Sequence, residues 1–155
     1  MQHPTNQPSE MFSCGAPINT GPAHHVLDAA FHHLNRWVSK GIAPPSAPRL
    51  QTTTEVPFAL AADEHGNTLG GIRTPAVDAP IATLTGNPPG GSSFCFLFGT
   101  TVAFTPEQVA ALYPDHRAFV AAWTRATNSA RRAGFLVDTD AKELLRAAKQ
   151  SDVAR

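Results

Sequence analysis

Eight of the fourteen prolines fall between residues 42 and 104. Proline lacks a backbone N–H, and its ring clashes with the preceding helical turn. That stretch therefore cannot hold a long helix. The 155 residues divide into a helical opening, an extended middle and a helical end. The length suits one domain, and helices segregated from extended chain make the expected class α+β. Residues 1–12 are polar and proline-bearing, offer little to bury, and are expected to be disordered. Residues 13–155 form the expected structured unit, with a helix over 22–40, extended or β chain over 50–104 and helices over 105–150.

The first helix is marked at both ends. Pro22 stands in its first turn, where a missing N–H costs nothing. Val26, Leu27, Ala30, Phe31, Leu34, Trp37 and Val38 recur at helical spacing, and Gly41 stops the run. Trp37, like Trp123 further on, reads as a core residue.

In the middle, "TTTEVPFALAADEHGNTLGGIRTP" reads as two strands around the turn "DEHGN". Asp63 and Asn67 favour that turn through bonds to nearby backbone, and Gly66 accepts a positive φ. "AVDAPIATLTG" reads as further extended chain. Arg73 and Asp78 bracket "TPAV" and read as an ion pair. In "SSFCFLFGTTVAF", Phe94, Phe96 and Phe98 alternate with Cys95 and Leu97, so a strand there would be apolar on both faces. This segment belongs to a charge-free run from Ala79 to Pro106 and needs a large body to lie against.

The end of the chain is helical. Thr105, Pro106 and Gln108 spell a capping box. Asp115 opens a longer helix that closes before Gly134, with Phe119, Val120, Trp123, Thr127 and Ala130 on one face. Asp138 or Thr139 is the expected cap of a last helix over "DAKELLRAAKQ".

Composition excludes several functions. Twelve acidic and twelve basic side chains cancel, which leaves no basic stripe for nucleic acid. No apolar run of about eighteen residues is present, so no membrane span is expected. "MQHPTNQPSE" lacks the cationic and apolar regions of a signal peptide. Cys14 and Cys95 are too far apart for a CxxC pair or a zinc knuckle, although a single disulfide between them is compatible with the sequence. "GNTLGG" lies between strands and does not make a dinucleotide loop. No cofactor is implied.

Four of the seven histidines lie within ten residues: His24, His25, His32 and His33. The two pairs are about 10–12 Å apart along a helix axis and cannot share one ion. Asp28 stands four residues from both His24 and His32, which suggests acid–imidazole pairs on a solvent-facing side of the helix. A general base is the chemical alternative. His24, in the first turn after "NTGP", is the candidate. Ser92 and Ser93 in "GGSSF" are the nearest hydroxyls, but no G-x-S-x-G elbow occurs.

These stretches together resemble a known family. "PINTGPAHHVLDAAFHHLNRWVSKGIAPPSAPRL", "DEHGNTLGGIRTPAVDAPIATLTG" and "FCFLFGTTVAFTPEQVAALYPDHRAFVAAW" resemble the C-terminal part of a bacterial α/β-hydrolase domain family, over about Cys14 to Val153. "GGIRTPAVDAP" is the most specific string. The decapeptide "MQHPTNQPSE" does not share the resemblance. The resemblance implies ester or related acyl hydrolysis by a serine nucleophile, with chain order serine, acid, histidine. Nucleophile and acid would precede the part seen here; His24 would supply the base, the alternative being a histidine in a glycine- and alanine-rich loop slightly earlier. It further implies that the isolated chain is a fragment, inactive alone. Its partner would be the missing N-terminal hydrolase core or a separately encoded half, and self-association is the alternative fate of the apolar surface. Neither nucleic acid nor membrane is an expected partner. The competing function is a non-catalytic binding or docking module.

Overall fold

A computed structural model describes residues 13–54, 56, 58–91 and 93–155, with only the backbone of Ser93. The expected disorder of residues 1–12 lies outside the described residues, as does Ser92. Among the described residues the architecture is α+β: five α-helices and a two-stranded antiparallel sheet. The helices are α1 (Ala23–Lys40), α2 (Pro75–Asp78), α3 (Pro106–Leu112), α4 (His116–Arg132) and α5 (Asp138–Gln150). No helix there is long and apolar enough to cross a membrane.

The sheet is small but tied on both sides. Strands β1 (Ala82–Thr85) and β2 (Thr100–Ala103) pair with Ala82 opposite Ala103. Residues 17–20 follow the other edge of β2. The Thr101 N–H donates to the Pro17 carbonyl at 3.0 Å and the Asn19 N–H to that of Gly99 at 2.7 Å. The turn 63–67 packs on β1. Asp63 accepts from the N–H groups of His65 and Asn67, at 3.0 and 2.9 Å. The fully buried Asn67 amide then acts as a piece of strand: it donates to the Ala82 carbonyl and accepts from the Leu84 N–H. The expected hairpin is thus reduced to single bridges, Ala62 with Thr68 and Thr52 with Leu60, braced by side chains.

Three local expectations are corrected. The segment Ser93–Leu97 is a 3-10 helix, not a strand buried on both faces. Both edges of β2 are taken, so this run has no ladder to join. Its backbone polar groups turn to local partners instead, as in the Phe98 N–H to Cys95 carbonyl bond of 3.1 Å. A three-residue period puts Cys95 and Phe98 on one side. Cys95 is buried while Phe94, Phe96 and Leu97 are exposed. Second, "PAVD" in the expected extended stretch is a helical turn, α2, begun by Pro75 after the extended Thr74. Third, neither Asp138 nor Thr139 caps α5. Val137 occupies the N-cap, Asp138 bonds Arg131 at 3.0 Å, and the Thr139 hydroxyl turns to Asp140. The capping box at Thr105 and Gln108 and the Asp115 cap of α4 form as the residues suggest.

Cys14 and Cys95 form a disulfide that fastens the segment before α1 to the 3-10 helix. It spans 81 positions of sequence, and a loop of that size is worth about 4 kcal/mol of unfolded-chain entropy. Beside it Gly91, at φ 96°, bridges Cys14 so closely that a Cβ would meet the Ser13 carbonyl at 2.5 Å.

The core lies between α4, α5 and the chain around α2. Tyr113, Phe119 and Ala148 form one buried cluster, and Ala130, Leu136 and Leu144 a second. Trp123 packs on both clusters, and the rings of Tyr113, Phe119 and Trp123 follow one another at 5.2 and 5.6 Å. Phe119, 2% exposed, is the centre of this stack. Phe119→Ala is expected to cost about 3–5 kcal/mol, read as a lowered urea midpoint.

Candidate functional site

Helix α1 is oriented opposite to its pattern. Its buried residues are His25 and Ala29, on the polar side. Leu27, Phe31, Leu34 and Val38, spaced at helical intervals, are all at least half exposed, and Val38 reaches 81%. Trp37 is 53% exposed and is not a core residue, which corrects the expectation from the sequence. His25 and His33, expected to meet solvent, meet the body of the protein.

Two imidazoles make that contact. The His33 Nε2 lies 2.9 Å from the Gly134 carbonyl oxygen. Gly134 ends α4 at φ 83°, and a Cβ there would meet Pro45 at 3.0 Å and the His33 ring at 3.1 Å. The His25 Nδ1 stands 3.3 Å from Oδ2 of Asp140 in the first turn of α5, with side-chain exposures of 7% and 13%. The approach lacks hydrogen-bond alignment, and neither buried atom has a hydrogen-bond partner. Asp28, three residues after His25 on the same helix, completes a cluster whose ligand atoms all lie within 4.8 Å of one another.

His24 is exposed, with its ring 3.9 Å from that of His25, centroid to centroid. It lies at i to Leu27 at i+3 and Phe31 at i+7, so it shares the apolar side of α1. His32 is exposed, and its ring meets that of His33 edge-on at 5.4 Å. Asp28 joins His25 and Asp140 rather than His24 or His32. Ser92 and the Ser93 side chain lie outside the described residues. Among the described residues no serine hydroxyl hydrogen-bonds to an imidazole; Ser39 and Ser151 donate to the carbonyls of Asn35 and Ala148. Sequence spacing could not deliver Asp140, which is more than a hundred residues from His25 and carries no local signal beyond its place in a helix start.

A second polar constellation is structural. Arg73 donates to Asp78 at 2.5 Å, to the Thr68 carbonyl at 2.8 Å, to Asp63 at 3.1 Å and to the Val77 carbonyl at 3.4 Å. It clips the turn 63–67 to α2 across a concavity of about 460 Å³ that Tyr113 and Arg125 also line. Burial opposes the charges on both sides, but the bonds outweigh it. Asp63 is held below the usual carboxylate range by Asn67, Arg73 and His65, and Arg73 is held above its ordinary value by Asp78 and Asp63. Asp63 therefore stabilises the fold above the ordinary carboxylate pKa, and this contribution is lost as pH falls through its lowered value. With four of its five N–H donors occupied, the guanidinium is a clip rather than a ligand-binding group. The pair read from "RTPAVD" is present, with Asp63 as a third member.

An alpha/beta hydrolase domain family model matches residues 1–146. The chain belongs to that family. The match begins at the first residue, so "MQHPTNQPSE" falls within it, contrary to the reading from sequence. No curated protein matches the chain, and no solved structure does.

Two expectations follow. Arg73→Met strands two carboxylates and is expected to lower stability by about 2 kcal/mol in denaturant titration at pH 7. Tyr113, the single tyrosine, donates to the Pro80 carbonyl at 3.1 Å, and burial raises its phenol from 10.0 to about 12. The raised value favours the neutral form in the fold, so its contribution is full below pH 10 and is lost as pH climbs toward 12. Tyrosinate absorbance is expected to titrate near 12 in the folded protein and near 10 in urea. The Tyr113→Phe variant is expected to lose that part of the alkaline destabilisation.

Proposed function

We propose that this chain is part of a serine ester (acyl) hydrolase, and that its exposed apolar surface lies against a β-core supplied by the rest of that enzyme or by a separately encoded half. Family membership supports the hydrolase class. The observation that carries the reading is the outward apolar side of α1. Leu27, Phe31, Leu34, Trp37 and Val38 expose on the order of 500 Å² in one strip, and covering it at about 25 cal/mol per Å² is worth roughly 10 kcal/mol. Phe94, Phe96 and Leu97 add a second exposed group.

In the assembled enzyme His24 acts as the base. It stands in the exposed first turn of α1 on the side that meets the core, where a nucleophile carried by the core comes within reach. Among the described residues no serine hydroxyl pairs with an imidazole, which supports reading the isolated chain as inactive by itself.

The purified chain is expected to show no turnover of p-nitrophenyl esters, and a stable pair with the β-core half to gain it. His24→Ala in that pair is expected to lower kcat by about 10³-fold or more. Phe31→Asp is expected to prevent pairing. Ester turnover by the isolated chain would sink the reading. A stable pair without hydrolysis would favour a docking module instead, and a homodimer burying Trp37 would favour self-association.

A further inference from the structure

We propose that His25, Asp28 and Asp140 form a divalent transition-metal site that clamps α1 to α5. The buried His25 ring turns its Nδ1 toward Asp140 at 3.3 Å without forming a hydrogen bond, and the facing Asp140 Oδ2 is likewise buried and unbonded. An imidazole–carboxylate ion pair would gain by aligning. Two buried ligand atoms 3.3 Å apart that do not bond each other are both left available to a third group. Asp28 brings a second carboxylate, and the three ligand atoms lie within 4.8 Å of one another. Ligands about 2.1 Å from a tetrahedral ion stand about 3.4 Å apart. The His25–Asp140 pair at 3.3 Å already has that spacing, and any wider separation, within the 4.8 Å limit, is closed by movement of the exposed Asp28 side chain. The two nearby carboxylates repel one another, and a dication offsets that repulsion.

The donor set selects the ion. One imidazole nitrogen with two carboxylate oxygens suits zinc or a similar first-row dication, while magnesium prefers oxygen alone. Asp28 is exposed, so the ion keeps a face toward water. The role is that of a clamp. It fixes α1 with His25 and His33 inward and so holds the apolar strip outward, and it does not depend on the proposed hydrolase activity.

Zinc chloride titrated into the chelator-treated full chain is expected to bind one equivalent and raise Tm by several degrees. Cobalt is expected to give visible ligand-field absorption. His25→Ala and Asp28→Asn are each expected to weaken binding at least tenfold, and His32→Ala to leave it unchanged. Asp28 is exposed, so its variant tests the site without threatening the fold. Absence of stoichiometric binding would overturn the site. Binding indifferent to Asp28→Asn, or lost in His32→Ala, would do the same by showing adventitious surface coordination.

Discussion

Helix α1 meets the body through two imidazoles, His33 bonded to the Gly134 carbonyl and His25 facing Asp140 at 3.3 Å, and the rest of the molecule's character depends on that attachment. Turning the polar side inward leaves Leu27, Phe31, Leu34, Trp37 and Val38 in solvent. Apolar area exposed on this scale is unfavourable unless something covers it, so the helix is positioned as a surface rather than as a core element. Gly134 allows the arrangement: its left-handed conformation ends α4, and its missing side chain lets Pro45 and His33 approach.

Other contacts join the remainder. Phe119, Tyr113 and Trp123 join α4 and α5 to the chain near α2, and the Arg73 clip ties the turn at 63–67 to that same chain. The disulfide and the bonds of residues 17–20 to β2 fix the stretch leading into α1. Local polar bonds do much of the work that a larger sheet would do, with Asn67 substituting for a strand and Thr83 donating to the His65 carbonyl at 2.6 Å. Membership of the alpha/beta hydrolase family accounts for so small a sheet carrying so much outward apolar surface if the main sheet of the enzyme lies against it, as we propose.

Local rules made much of the fold legible. The spacing of Val26 to Val38, the capping box at Thr105 and the Asp115 cap each act within a turn or two of chain, and the helices stand where those residues imply. "RTPAVD" showed its ion pair for the same reason, since five residues separate Arg73 from Asp78. The alternation Phe94, Phe96, Phe98 misled because a strand needs a free neighbouring edge, and period-two spacing says nothing of whether one exists.

The sequence by itself determined the α+β class, helices α1, α3, α4 and α5 and the turn at 63–67, because propensity, capping and proline geometry operate over a few residues. Tertiary structure decided which side of α1 faces inward, that Cys14 meets Cys95, and that Asp140 joins His25 and Asp28. Amphipathic spacing identifies two sides of a helix but not which one the protein covers. That depends on partners more than a hundred residues away, and a linear pattern carries no record of their distance.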